Sequence, residues 1–154
     1  LTVAVRETAG GKANWSWRAH VAASVILLIV ARLLVRHVRL SHWRATLGKI
    51  TPTSDIVSTS APSGRAPRAA RLLASAVERG AELLPFDSKC LPRAAALQWL
   101  LRASRMPSHL VIAFHAAERD QEHGFHAWVE QDGHILIGAC DRLQYRPAMV
   151  LVQG

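Results

Sequence analysis

Residues Phe125 to Gly138 read FHAWVEQDGHILIG, and Asp132-Gly133 divides two runs in which apolar and polar side chains alternate. That is the pattern of a β-hairpin closed by a two-residue turn. No other stretch constrains the fold so tightly, because so short a loop sets the register of both strands. Gln131 faces His134, Glu130 faces Ile135, and an unbroken ladder brings His126 opposite Ala139. Alternation then puts His126, Trp128 and Glu130 on one face, and Phe125, Ala127 and Val129 on the other. Ala139 and Asp141 share the His126 face of the partner strand.

Upstream of this hairpin the period is helical. Leu1 to Asn14 has no periodicity and reads as a tail, whereas Trp15 to Leu47 reads as one or two helices, apolar in the middle and basic afterwards. Thr51 to Pro67, TPTSDIVSTSAPSGRAP, is rich in Ser, Thr and Pro and reads as a linker. Arg68 to Leu83 follows as an amphipathic helix with Leu72, Leu73, Ala76 and Val77 on one face. In SKCLPRAAALQWLL, Pro92 suits an early helical position, where its missing N–H has no intrahelical partner anyway. Ala94, Leu97, Leu100 and Leu101 give that helix an apolar face, and Met106-Pro107 ends it. SHLVIAFHA then reads as a strand. Helices first and a small antiparallel sheet second make an α+β fold. The boundaries expected are 1–50 for the tail and the apolar, basic helical segment, 51–67 for the linker, and 68–154 for the domain that carries the chemistry.

Composition narrows the function classes. Half the residues are apolar, enough for a real core. Two cysteines do not make a disulfide framework, so free thiols and a reducing cytoplasm are expected. The net charge of +8, mostly from Arg, favours an acidic partner of some kind. No strand interleaves aromatic and basic residues, which argues against a nucleic-acid surface. The apolar run from Val21 to Val35 has no cleavage site for a signal peptide. Only 11 residues separate His20 from Arg32, short of the roughly 20 that a bilayer core demands. A buried or interfacial helix is expected, and Arg18, Arg32, Arg36 and Arg39 leave room for peripheral contact with anionic lipid.

Cys90 is the candidate nucleophile. It stands at a helix start, where the positive end of the helix dipole and Lys89 both favour a thiolate. His126 would take its proton and return it to a leaving amine. Asp141, a diagonal neighbour of His126 at about 7–8 Å between Cα atoms, would hold the imidazole. Asp132 and Glu130 lie about 20 and 13 Å along an extended strand from His126, too far to do so. Backbone N–H groups of Cys90 and Leu91 could stabilise an oxyanion, with no evident side-chain donor. Cys140 has no helix terminus beside it and reads as a structural thiol. His115, His123, His126 and His134 with Cys140 lack the close spacing of zinc ligands, so no metal is expected. Without a phosphate-binding loop, no cofactor is expected either.

Taken together, SKCLPRAAALQWLL, HLVIAF and FHAWVEQDGHILIG resemble the transglutaminase-like cysteine peptidases of lasso-peptide biosynthesis. The likeness covers about Leu72 to Val152, and an N-terminal apolar helix is also typical of that family. It implies a papain/transglutaminase-like fold with Cys90 as nucleophile and His126 as general base. It also implies removal of the leader from a ribosomally made precursor, alongside a RiPP recognition element and an ATP-dependent lasso cyclase. Leu1 to Lys49 is helical rather than strand-rich, so the recognition element is expected on a separate chain. In several members of that family an Asp follows about a dozen residues after the histidine, a place held here by Gly138. Asp141 lies three residues further on, and a backbone carbonyl or Gln144 is the alternative orienter. The alternative function is a catalytically inactive adaptor in a peptide-maturation complex.

Overall fold

The computed structural model describes residues 7–52, 65–117 and 124–153, with side chains of the first helix described from Ser16 onward. Helix α1 spans Glu7–His37, and a short α2 spans Leu40–Trp43. Strand β1 (Lys49–Thr51) precedes helices α3 (Arg68–Glu82) and α4 (Cys90–Ala103). Strands β2 (Ser108–His115), β3 (Phe125–Gln131), β4 (His134–Ile137) and β5 (Tyr145–Gln153) complete the chain. The five strands form one antiparallel sheet in the order β1-β5-β2-β3-β4. Helices first and sheet second is the α+β order expected of the sequence.

Helix α4 lies in the middle of the molecule. Nine of its 14 residues are buried, on nearly every side of the helix. Ala94, Leu97 and Leu101 share one core with Leu110, Ile112, Ala127, Val129 and Leu151 from the sheet and with Leu73 and Val77 of α3. Within that apolar core sits the amide of Gln98, fully buried. It donates to the carbonyls of Leu47 and Leu151 at 3.0 and 3.3 Å and accepts from Ser108 Oγ at 3.0 Å. Gln98 thus ties α4 to β5, to β2 and to the segment entering β1, and its own buried amide is satisfied by these bonds.

The boundaries expected at 1–50 and 51–67 do not separate two units. Leu28, Ala31, Trp43 and Leu47 belong to the core of α3 and α4, and Lys49–Thr51 pairs with Val150–Val152. Residues 53–64 of the expected linker, and residues 1–6 of the expected tail, lie outside the described residues. The tail is also shorter than expected, since α1 already begins at Glu7. Arg32 does not interrupt α1. Its Nη1 donates to the Asp87 carbonyl at 3.0 Å, and its guanidinium lies 4.1 Å from the centroid of the Phe86 ring. Ser16–His37 is consequently 22 residues long and apolar enough to cross a membrane by length and composition, with 17% of the window buried. One side of that helix, through Ser24, Leu28 and Ala31, is buried inside the domain.

The β3–β4 hairpin turns as expected, then departs from its register. Asp132 and Gly133 have φ of 49° and 79°, the double positive φ of a tight hairpin turn. Gln131 pairs with His134 and Glu130 with Ile135, but Val129 pairs with Ile137. Leu136 is therefore an extra residue, a β-bulge, and every later side chain of β4 changes face. The ladder ends there, so His126 does not pair with Ala139. Strand β5, not foreseen in the sequence, carries Pro147 at the irregularity where its pairing with β2 shifts, a place where a missing N–H is tolerated.

Replacing Gln98 with Leu should leave the Ser108 hydroxyl without its acceptor and take one donor each from the Leu47 and Leu151 carbonyls, the former keeping Gln153 Nε2 at 3.0 Å. We expect a loss of about 2–4 kcal/mol in urea denaturation; a loss under about 0.5 kcal/mol would show that the amide is not a structural tie.

Candidate active site

Helix α4 begins at Cys90. Lys89, its N-cap residue, makes no side-chain cap, and Pro92 brings no N–H to the first turn. The N–H groups of Cys90 and Leu91 at the helix start are thus free of a capping side chain, and the dipole favours negative charge there. Cys90 is half-buried and lines two cavities. One is an open groove of about 660 Å³ between α1 and the start of α4. The other is a smaller cavity of about 240 Å³, which Cys90 lines with Glu78, Ser88, Arg93, His126 and Gly138.

His126 reaches that cavity from the second residue of β3. Its ring lies 5.3 Å from the Tyr145 ring and 6.0 Å from the Trp128 ring, centroid to centroid. Its Nε2 stands 3.0 Å from the Gly138 carbonyl oxygen. A carbonyl oxygen only accepts, so the shared proton belongs to Nε2, and the neutral ring keeps its lone pair on Nδ1. The tautomer of His126 is thus set by a backbone group.

Gly138 can offer that carbonyl because β4 stops one residue earlier. Its φ is 78°, and a Cβ there would fall 2.6 Å from the Ala127 carbonyl oxygen. Only glycine fits. Gly138 therefore presents a peptide oxygen, not a carboxylate, to the histidine.

Asp141 is elsewhere. Its Oδ1 accepts from the Leu143 N–H at 3.1 Å and its Oδ2 from Gln144 Nε2 at 3.2 Å, capping the 3-10 turn Arg142–Gln144. It does not line the cavity of Cys90 and His126. The expectation that it orients His126 fails with the register: the bulge at Leu136 and the end of β4 at Ile137 remove the diagonal on which it rested. Gln144, the other candidate side chain, has its Oε1 3.3 Å from His115 Nε2.

Three residues of the cavity were not singled out from the sequence. Glu78 of α3 and Arg93 of α4 form an ion pair at 2.9 Å. Ser88, only 5% exposed, lines both cavities, and its hydroxyl has no hydrogen-bond partner among the described residues. The signal available for Ser88 was its place two residues before a thiol at a helix start.

Cys140 differs from Cys90. It packs with Trp128, Val111 and Val150 on the other face of the sheet. Burial pushes its thiol above the ordinary range, with Arg142 pulling it down and Glu130 and Asp141 adding to the rise. Arg142 is itself engaged, 2.8 Å from the buried Glu130 carboxylate. Among the described residues no three His, Cys, Asp or Glu side chains come together as a metal site; His123 lies outside the described residues.

Residues 26–150 match the family model described as transglutaminase-like superfamily. No curated protein and no solved structure matches the chain.

Two consequences can be measured by mass spectrometry after iodoacetamide treatment. Asp141→Asn, which keeps an oxygen for the Leu143 N–H, should leave Cys90 alkylation within about two-fold of the unmodified protein, whereas His126→Ala should slow it about ten-fold or more. A ten-fold loss in Asp141→Asn would restore the carboxylate as orienter. Cys140 should stay unlabelled until pH rises above the ordinary thiol range, because burial holds its proton on; labelling at neutral pH would contradict that assignment.

Proposed function

Because the chain belongs to the transglutaminase-like superfamily, we propose that it is a cysteine peptidase that removes the leader from a ribosomally synthesised lasso-peptide precursor. The observation that carries this is the small cavity shared by Cys90 and His126, with the imidazole held by Gly138. The lasso-specific part is supported by Cys-Leu-x-x-Ala at Cys90–Ala94 and His-Ala-Trp-Val-Glu at His126–Glu130. The reaction takes place in the cytoplasm, where the precursor is made and thiols stay reduced. A separate recognition element delivers the leader, and a lasso cyclase takes the released core peptide.

The Cys90 thiol gives its proton to Nδ1 of His126, and the thiolate attacks the scissile carbonyl carbon. The oxyanion that forms is held by the N–H groups of Cys90 and Leu91. The Ser88 hydroxyl, buried in the same cavity and without a partner among the described residues, is the side-chain donor to the same oxygen. As the intermediate collapses the C–N bond breaks, and the imidazolium proton passes to the departing amine. Water, deprotonated by His126, then attacks the thioester; the C–S bond breaks, a carboxylic acid leaves, and the thiol is regenerated.

Cys90→Ala and His126→Ala should each lower leader release at least about a thousand-fold with unchanged circular dichroism. Release that persists in Cys90→Ala would sink the mechanism and leave an adaptor role. Ser88→Ala should slow acylation of Cys90 by p-nitrophenyl acetate about ten-fold or more, as expected for a lost oxyanion donor. Alkylation by iodoacetamide, which forms no oxyanion, should stay within about two-fold. Equal losses in both reactions would make Ser88 a positioning residue only.

A further inference from the structure

The groove beside Cys90 has a wall that the chemistry above does not use. It is formed by α1, through Arg32, Val35 and Arg36, and faces Lys89, Leu91, Pro92 and Phe125. Its volume of about 660 Å³ is within the range of sites that enclose small ligands, with room for a few peptide residues. Cys90 and Ser88 line both this groove and the cavity that holds His126. A chain lying in the groove therefore presents a carbonyl to the sulfur without leaving it.

The charges of this wall are of one sign. Three cations line it, and no carboxylate does so among the described residues. Arg32 is committed to the Asp87 carbonyl and the Phe86 ring, which fixes α1 against the segment leading to Cys90. Arg36 and Lys89 are exposed, and their side chains make no hydrogen bond or ion pair among the described residues. Between them the walls are apolar: Val35, Leu91, Pro92 and Phe125. Free cations at the rim and apolar walls within match a ligand that carries a carboxylate close to an aliphatic or aromatic side chain. A polyphosphate would leave those walls unused.

We propose that this groove is the substrate cleft, and that it selects a peptide segment with an acidic side chain next to an apolar one, the acid read by Arg36 and Lys89. The proposal rests on the peptidase function above and adds the specificity to it. It also gives α1 a role: the helix is a wall of the cleft as well as part of the core.

The test is protection of Cys90 in the full chain and needs no turnover. N-acetyl-Asp-Leu-Leu-Asp-amide, with acids at both ends so that chain direction is immaterial, competes with iodoacetamide for Cys90. Its twin carries Lys in place of Asp, and alkylation of free cysteine added to the same reaction is the internal control. The acidic peptide should protect half-maximally at a concentration about five-fold or more below that of the basic twin at low ionic strength. The difference should fade at about 0.5 M salt. The Arg36→Glu/Lys89→Glu double variant should reverse the preference, each variant serving as its own control for any change in Cys90 reactivity. Replacing both Leu by Ser should abolish protection. Equal protection by the two peptides, protection by neither, or an unreversed preference in the double variant overturns the cleft assignment. None of these outcomes touches the peptidase function, which fails instead on leader release by Cys90→Ala.

Discussion

A helix that is apolar on nearly every side has to be enclosed, and α4 is enclosed by α1, α3 and the sheet. This enclosure sets the position of Cys90. The first residue of a helix anchored along its whole length cannot shift without opening the core, and Gln98 adds a directional tie where hydrophobic contact alone would allow sliding. The sheet is held to the same helix, so the imidazole on β3 and the sulfur on α4 are referred to one rigid frame. Precision of this kind comes from elements rather than loops.

What could be read from the sequence follows how local each cause is. The two pairs nearest Asp132-Gly133 were legible because the turn dictates them. At the very next pair the reading failed, since one extra residue at Leu136 exchanges the faces and nothing in ILIG marks a bulge. Asp141 was lost with that register. The group that took its place, the Gly138 carbonyl, is backbone, and a backbone acceptor leaves no trace in residue type beyond the glycine itself. Strand β1 is three residues long, and Pro147 disguised β5. Helix α1 was visible as a helix but not as part of the domain, because Arg32 looked like an interruption. Its partner is a carbonyl 55 positions away.

A carbonyl in place of a carboxylate changes the electrostatics of the pair. Both fix the Nε2 proton, but only a carboxylate would add a full negative charge beside the imidazolium. Here the other charges of the cavity, Glu78 and Arg93, cancel each other at 2.9 Å. In the reaction proposed above, the imidazolium has the Cys90 thiolate as its counter-charge, which favours proton transfer as a pair rather than a free imidazolium.

The same balance bears on how a substrate reaches the sulfur. With a cavity that is neutral overall and a groove whose rim is cationic, the field across Cys90 falls from the groove toward His126. In the proposed cleft, negative charge on an incoming peptide is attracted to the rim, while the reacting carbonyl enters a site with no net charge to repel the oxyanion it will carry. The helix start lies at the junction of the two, so the dipole that favours the thiolate also adds to the attraction of the groove. On this proposal recognition and activation are drawn from a single end of α4, and the enclosure of that helix is what keeps them in register.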